Sequence, residues 1–237
     1  MKAVCLTSGG VDSTTCLAIA KEEGRRIYAL SLLYGQRHSH EIYAAKRVAS
    51  FFKAEKHLCL TVDLGKIGGS SLTDLSQVIP TTPVSKTTNE TNTLSVESFI
   101  PNTYIPGRNL IFLSLAVAWA EAIGAAEIFI GANSLDYSGY PDCRPAFLES
   151  FEKTANLATK AGVINGQNIS VRAPLLYMSK AEIIRTGLSL GVDYSMTSSC
   201  YQPDIKGRPC GKCHSCQLRL KGFKEAGLSD PLEYQNK

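Results

Sequence analysis

Residues 2–18 read KAVCLTSGGVDSTTCLA, and the change of pattern inside this stretch decides the fold. Lys2 to Thr7 is a short, mostly apolar run that suits a buried strand. Gly9 and Gly10 let the backbone turn tightly and approach a ligand closely. From Asp12 the apolar residues fall at helical spacing as far as Glu23, and Gly24 stops the helix. A strand that turns through glycines into a helix presents the unpaired first amides and the positive dipole end of that helix. Such a place holds phosphate. The hydroxyls of Ser8, Ser13 and Thr14 add donors, and the Asp12 carboxylate makes sense beside phosphates when Mg²⁺ lies between them. The stretch has neither the spacing nor the lysine of a Walker A loop. The bland alternative is an ordinary turn capped by Asp12 or Ser13; the position and the number of hydroxyls favour a nucleotide.

Outward from this point the same rhythm repeats. Residues 27–34, 56–62, 127–132 and 169–175 are apolar runs that predict strands. Residues 40–53, 109–123 and 146–160 have helical spacing. Ser179 caps a further helix, Glu182 completes a capping box, and Gly191 ends it; a last short helix is predicted over 217–226. Alternating strands and helices imply an α/β fold with a doubly wound parallel sheet covered on both faces. Ligands in such folds lie beyond the carboxyl ends of the strands. Residues 65–103 break the rhythm with Ser, Thr, Gly, Asn and several prolines and are expected to be an irregular insertion. The expected organisation is an α/β domain over 1–197 and a small cysteine-bearing, helical segment over 198–237.

The chain of 237 residues is 44% hydrophobic and 19% charged, enough for a sizeable core. A net charge of +4 without a basic stripe suits a small anionic substrate better than a nucleic acid. The N-terminus runs straight into the first strand and no apolar run is long enough for a bilayer, so no membrane and a cytoplasmic location are expected. In a reducing compartment, disulfides explain clustered cysteines poorly and metal explains them well.

Of the eight cysteines, Cys200, Cys210, Cys213 and Cys216 form such a cluster. Its two C-x₂-C steps share Cys213. Four thiolates with no position left for water describe a structural tetrahedral Zn²⁺ site. Pro203, Gly207 and Pro209 let the connection loop back, and such a site can contribute on the order of 10 kcal/mol to local folding. An iron–sulfur cluster is the competing occupant.

Two further segments draw notice. Arg108 and Asn109 lie at the start of the helix over 109–123, where an arginine can clamp phosphate or carboxylate in a fork; taken alone, the pair reads rather as Asn109 capping the helix and Arg108 in solvent. Residues 131–145 follow a strand and gather Asp136, Tyr137, Tyr140, Asp142 and Arg144. Aromatic faces there can stack on a flat heterocycle, and the carboxylates can accept from ring N–H groups. Lys180, at the start of its helix, can face phosphate or simply be solvated.

SGGVDS at 8–13 resembles the signature loop of the ATP-pyrophosphatase (PP-loop) superfamily, whose fold is of the adenine nucleotide alpha hydrolase type. Together with YIPGRNLIFLSLA at 104–116, GANSLDYSGYPDCRPAF at 131–147 and SSCYQPDIKGRPCGKCHSCQLR at 198–219, it is similar to the 7-cyano-7-deazaguanine synthase family over nearly the whole chain. The resemblance implies an ATP-dependent carbon–nitrogen ligase of queuosine precursor biosynthesis, forming a homodimer. ATP adenylates the carboxylate of 7-carboxy-7-deazaguanine, and ammonia displaces AMP to give an amide. A second adenylation, on the amide oxygen, permits dehydration to the nitrile. With no glutaminase segment evident, free ammonia is the expected nitrogen donor. ATP is expected on Ser8, Gly9, Gly10, Val11, Asp12, Ser13, Thr14, Thr15, Cys16, Leu17 and Ala18, with Mg²⁺ at Asp12. Arg108, Asn109, Asp136, Tyr137, Tyr140, Asp142 and Arg144 are expected to bind the substrate. Asp12, Ser13, Arg108 and Lys180 are the expected catalytic set, and Zn²⁺ is expected on the four cysteines. The competing readings are a tRNA-base-modifying enzyme of the same superfamily and a non-catalytic zinc module with a vestigial loop.

Overall fold

The computed structural model describes residues 1–81, 100–135 and 140–235. Its centre is a five-stranded sheet in the order β3-β2-β1-β4-β5, and every pairing is parallel. The strands are β1 (Lys2–Leu6), β2 (Arg26–Leu33), β3 (Lys56–Thr61), β4 (Glu127–Phe129) and β5 (Ser170–Arg172). The helices are α1 (Val11–Glu22), α2 (His40–Phe51), α3 (Arg108–Ile123), α4 (Pro145–Ala158), α5 (Lys160–Asn165), α6 (Lys180–Ser189) and α7 (His214–Glu225).

Strand alternation divides the core between two faces. Val4 and Leu6 of β1 join Leu113 and Trp119 of α3 and Leu148 and Phe151 of α4. Ala3 and Cys5 point the other way, to Cys16 and Leu17 of α1, Ile183 of α6 and Phe223 of α7. The chain builds β1 to β3 towards one edge and then crosses to β4 and β5 on the other side of β1. The reversal opens a crevice above the carboxyl ends of β1 and its neighbours, where such folds bind ligands.

Four boundaries differ from the sequence expectation. β4 stops at Phe129 and not Ala132, because the chain peels off the sheet. Asn133 Nδ2 then donates to the carbonyls of Leu175 (3.0 Å) and Met178 (2.6 Å). β5 is likewise confined to Ser170–Arg172. The helix expected over 146–160 divides at Thr159, which is extended and whose side chain accepts from Gly162 N–H to begin α5. α7 starts at His214, three residues before the expected Gln217, with Cys213 as its extended N-cap.

The described part of the 65–103 stretch packs closely. Leu72 and Ile79 join Tyr34, Leu64, Ile105 and the cysteines Cys200, Cys213 and Cys216 in a third apolar cluster. The Arg37 guanidinium fastens it by donating to the carbonyls of Ser71 (2.8 Å), Asp74 (2.7 Å) and Gln77.

Candidate active site

The turn between β1 and α1 is set by Gly9, whose φ of +83° is left-handed and whose missing Cβ would lie 2.4 Å from the Ala45 backbone nitrogen of α2. No other residue fits there without displacing α2. The turn is bound to itself through hydroxyls. Ser8 and Ser13 share a hydrogen bond of 2.9 Å, Ser8 N–H donates to Ser13 Oγ (3.2 Å), and Gly10 N–H donates to Ser8 Oγ (3.3 Å). Ser8, Gly10, Val11, Asp12 and Ser13 border a cleft of about 220 Å³ above the sheet. The remainder of the expected nucleotide segment does not. Thr14, Thr15, Cys16, Leu17 and Ala18 are buried in α1, because beyond its first turn the helix faces the core. Thr15 Oγ1 is hydrogen-bonded to the Tyr194 hydroxyl at 2.7 Å, and Cys16, Leu17 and Ala18 are core residues.

Lys180 opens α6 directly after Ser179, whose reciprocal bonds with Glu182 complete the expected capping box. That start is fixed, and it delivers the buried Lys180 ammonium to Asp12 Oδ1 at 2.5 Å. The lysine stem lies across Gly222 of α7, where a Cβ would meet Lys180 Cγ at 2.3 Å. Asp12, read from sequence as a Mg²⁺ ligand, therefore stands in an ion pair at the edge of the cleft.

The opposite wall comes from α3 and from the segments after β2 and β4. Arg108, Asn109, Tyr140 and Cys143 line the cleft, joined by Tyr34, Gln36 and Glu41. Asp142 lies behind this wall. Its buried carboxylate accepts the Asn109 N–H at 2.8 Å, while Asn109 Nδ2 donates to the Asp142 carbonyl (3.1 Å) and Cys143 Sγ (3.2 Å). Burial raises the Asp142 pKa against the pull of that amide and of Arg108. Asp142 thus fixes the start of α3, and with it Arg108, and does not itself border the cleft. Arg144 is exposed at the N-cap of α4 and is not a lining residue. Asp136 and Tyr137 fall outside the described residues.

Glu41, Tyr34 and Gln36 are cleft residues that the sequence motifs above do not include. All three belong to YGQRHSHE at 34–41, a polar run directly after a buried strand, and that position was the available signal. Burial pushes the Glu41 carboxyl up to about 7, against the opposing influence of the Arg108 guanidinium and the Tyr34 hydroxyl.

The ligating atoms of Cys200, Cys210, Cys213 and Cys216 lie within 4.8 Å of one another. Backbone amides point at the sulfurs: Gln202 and Cys210 N–H donate to Cys200 Sγ, each at 3.2 Å, and Cys213 N–H donates to Cys210 Sγ at 3.3 Å. Four converging sulfurs, of which those of Cys200 and Cys210 receive amide hydrogens, fit a cation bound by thiolates. The cluster is continuous with the cleft. Cys213 and Cys216 start α7, and that helix contributes Ser215, Leu218 and Arg219 to the cleft lining. Arg219 is fixed by Asp230 (2.7 and 2.9 Å) and the Thr197 hydroxyl (2.6 Å).

Among the described residues no helix is long and apolar enough to cross a membrane. The family model described as "Queuosine biosynthesis protein QueC" matches residues 2–227. The chain is 54% identical over 234 residues to the 7-cyano-7-deazaguanine synthase of Dechloromonas aromatica (strain RCB), covering 99% of this chain and 98% of the relative. It is 55% identical over 236 residues to that of Pelobacter propionicus, covering 100% and 99%. To that of Syntrophobacter fumaroxidans it is 54% identical over 233 residues, covering 98% and 96%. With a family match along almost its whole length and relatives of this similarity, the chain belongs to the QueC family of queuosine biosynthesis proteins.

Proposed function

We propose that the chain makes 7-cyano-7-deazaguanine from 7-carboxy-7-deazaguanine, ammonia and ATP by two successive adenylations. The observation that carries this reading is a single cleft with a hydroxyl-rich helix N-terminus on one wall and Arg108 on the other. A carboxylate oxygen is a poor leaving group near neutrality. Transfer of AMP to it from ATP turns it into a good one, and pyrophosphate departs. Ser8 to Ser13 are suited to the ATP phosphates through the first amides of α1 and through hydroxyls that would exchange their bonds to one another for bonds to phosphate. Lys180 stands beside them as a cation for phosphate. Mg²⁺, bound through Asp12, would neutralise charge on departing pyrophosphate. Arg108 is suited to the substrate carboxylate as a planar fork, and Tyr34 and Tyr140 to the flat deazapurine. Ammonia then displaces AMP to form the amide, and adenylation of the amide oxygen permits loss of AMP to give the nitrile. No nucleophilic side chain is required.

Zn²⁺ on the four cysteines would hold α7 in place and so shape the cleft from outside it. The proposed setting is a homodimer in the cytoplasm, with free ammonia as the nitrogen donor.

The test is pyrophosphate release by purified protein with MgATP and ammonium, with and without 7-carboxy-7-deazaguanine, with the base followed by mass spectrometry. Base-dependent release with conversion to the nitrile is the expected result. Release without change in the base, or none at all, refutes the proposal.

A further inference from the structure

The reaction proposed above strips ammonia of all its hydrogens. One proton leaves nitrogen when it attacks the acyl adenylate, one when the amide oxygen is adenylated, and one when AMP is eliminated to leave the nitrile. The cleft therefore needs a group that accepts protons from nitrogen. Among the described residues that line it there is no histidine, and the carboxylates are Asp12 and Glu41. Asp12 is occupied by the Lys180 ammonium at 2.5 Å on the side of the β1–α1 turn, away from Arg108. The thiol of Cys143 is raised by burial to about 12 and is not ionised near neutrality. Glu41 remains. It projects from the first turn of α2 into the same cleft, on the wall that carries Arg108 and Tyr34.

We propose that Glu41 is the general base of this enzyme, taking the proton from nitrogen as each C–N bond order increases. The assignment rests on the ligase reading, because Arg108 as the carboxylate clamp brings the reacting carbon to the Glu41 wall. In the first step the ammonia lone pair attacks the acyl carbon. The C–N bond forms, the C–O bond to AMP breaks with its electron pair leaving on AMP, and one N–H proton passes to the Glu41 carboxylate. In the second adenylation the amide oxygen attacks the α-phosphorus, pyrophosphate leaves with the electron pair of the broken P–O bond, and the second N–H proton passes to Glu41 as C–N becomes C=N. In the last step the remaining N–H proton passes to Glu41, its electron pair becomes part of the C≡N bond, and the C–O bond to AMP breaks with its electron pair leaving on AMP. Between steps Glu41 hands its proton to water. A carboxyl pushed up to about 7 by burial can both take and release a proton near neutral pH, the condition for efficient base catalysis.

The experiment is a rapid-quench single turnover of the full chain and its Glu41→Gln variant with MgATP, ammonium and 7-carboxy-7-deazaguanine. The variant should give a pyrophosphate burst equal to that of the wild type, because the first adenylation removes no proton from nitrogen. The acyl adenylate should then accumulate, with amide formation slowed about 100-fold or more. Amide formation within about threefold of the wild type would overturn the assignment, on the scale that general bases contribute. So would an unchanged amide rate reached only at higher concentrations of the base, which would make Glu41 a recognition group. Should Glu41→Gln not fold, Glu41→Asp carries the test, with the burst retained and amide formation at least about tenfold slower; an unaltered rate overturns the assignment. A wild-type chain without any burst overturns both the ligase reading and the role of Glu41.

Discussion

Lys180 Nζ lies 2.5 Å from Asp12 Oδ1, tying the first residue of α6 to the first turn of α1 beside the β1–α1 turn. Each side chain is more than four-fifths hidden from solvent, with exposures of 8% and 17%. Replacing Lys180 by Met leaves the carboxylate without its cation and removes a positive charge from the phosphate side of the cleft. Base-dependent pyrophosphate release should fall about 10²-fold or more, the scale for a lost electrostatic group at a charge-developing site. Asp12→Ala should abolish release while zinc content, measured by atomic emission, stays at the wild-type level. Turnover unchanged in either variant would remove the pair from the chemistry.

The lysine is held by contact with α7. A Cβ at Gly222 would sit 2.3 Å from Lys180 Cγ and 3.0 Å from Ile184 Cδ1. Gly222→Ala should therefore force α6 and α7 apart, costing about 1–3 kcal/mol in denaturant unfolding as overpacking does. Pyrophosphate release should drop further than the lost stability explains, because Lys180 moves from Asp12. A variant as stable and as active as the wild type would show that the contact is easily relieved.

The cysteine cluster should act on the cleft at a distance. No ligand cysteine lines the cleft, yet Ser215, Leu218 and Arg219 of the helix that Cys213 begins do. Cys213→Ser should lower bound zinc below one ion per four-cysteine site and expose residues 200–213 to limited proteolysis, since structural metal sites supply local folding free energy. It should also abolish pyrophosphate release. Full activity in a zinc-free variant would separate the metal from the site.

Much of this arrangement is legible in the sequence, for identifiable reasons. The β1–Gly9–α1 turn and the Ser179–Glu182 box are local: the atoms that form them are neighbours in the chain, so residue type alone dictates them. The spacing of Cys200, Cys210, Cys213 and Cys216 is legible because four thiols must converge within a short loop. What was hidden depends on contacts far apart in sequence. Lys180 reaches Asp12 across 168 positions, which leaves it indistinguishable in sequence from a solvated first-turn lysine. Asp142 reads as substrate-facing in a tyrosine-rich loop, but is turned inward onto the Asn109 amide, 33 positions away. The inward faces of Cys16, Leu17 and Ala18 follow from α1 packing between the sheet and α6, and that of Thr15 from its bond to Tyr194, 179 positions away. Glu41 is not distinguished in the sequence, because a glutamate in the first turn of a helix usually serves the helix dipole.

Glu41 also makes a pH prediction with a definite sign. Burial holds its carboxyl at about 7 in the fold, above the ordinary 4.5, with Arg108 and Tyr34 opposing. The proton-accepting form therefore predominates above about pH 7, and the rate of amide formation should rise through that value. Glu41→Gln should lack this inflection while keeping the one that belongs to ammonium in solution. Because the folded pKa is raised, the stability contributed by the neutral carboxyl is present below 4.5 and lost as pH rises through about 7. The stability of the wild type relative to Glu41→Gln should accordingly fall as pH rises from 4.5 to about 7, and a difference that does not change with pH would refute the shift.

The central claim is that one cleft performs two adenylations on the same carbon. Its most direct measurement is the ratio of pyrophosphate released to nitrile formed, with the base followed by mass spectrometry through the time course at saturating MgATP and ammonium. The expected result is roughly two pyrophosphates per nitrile, each step splitting ATP at the α-phosphorus, with the amide rising first and then falling. A ratio near one, or nitrile appearing with no amide before it, would contradict the account.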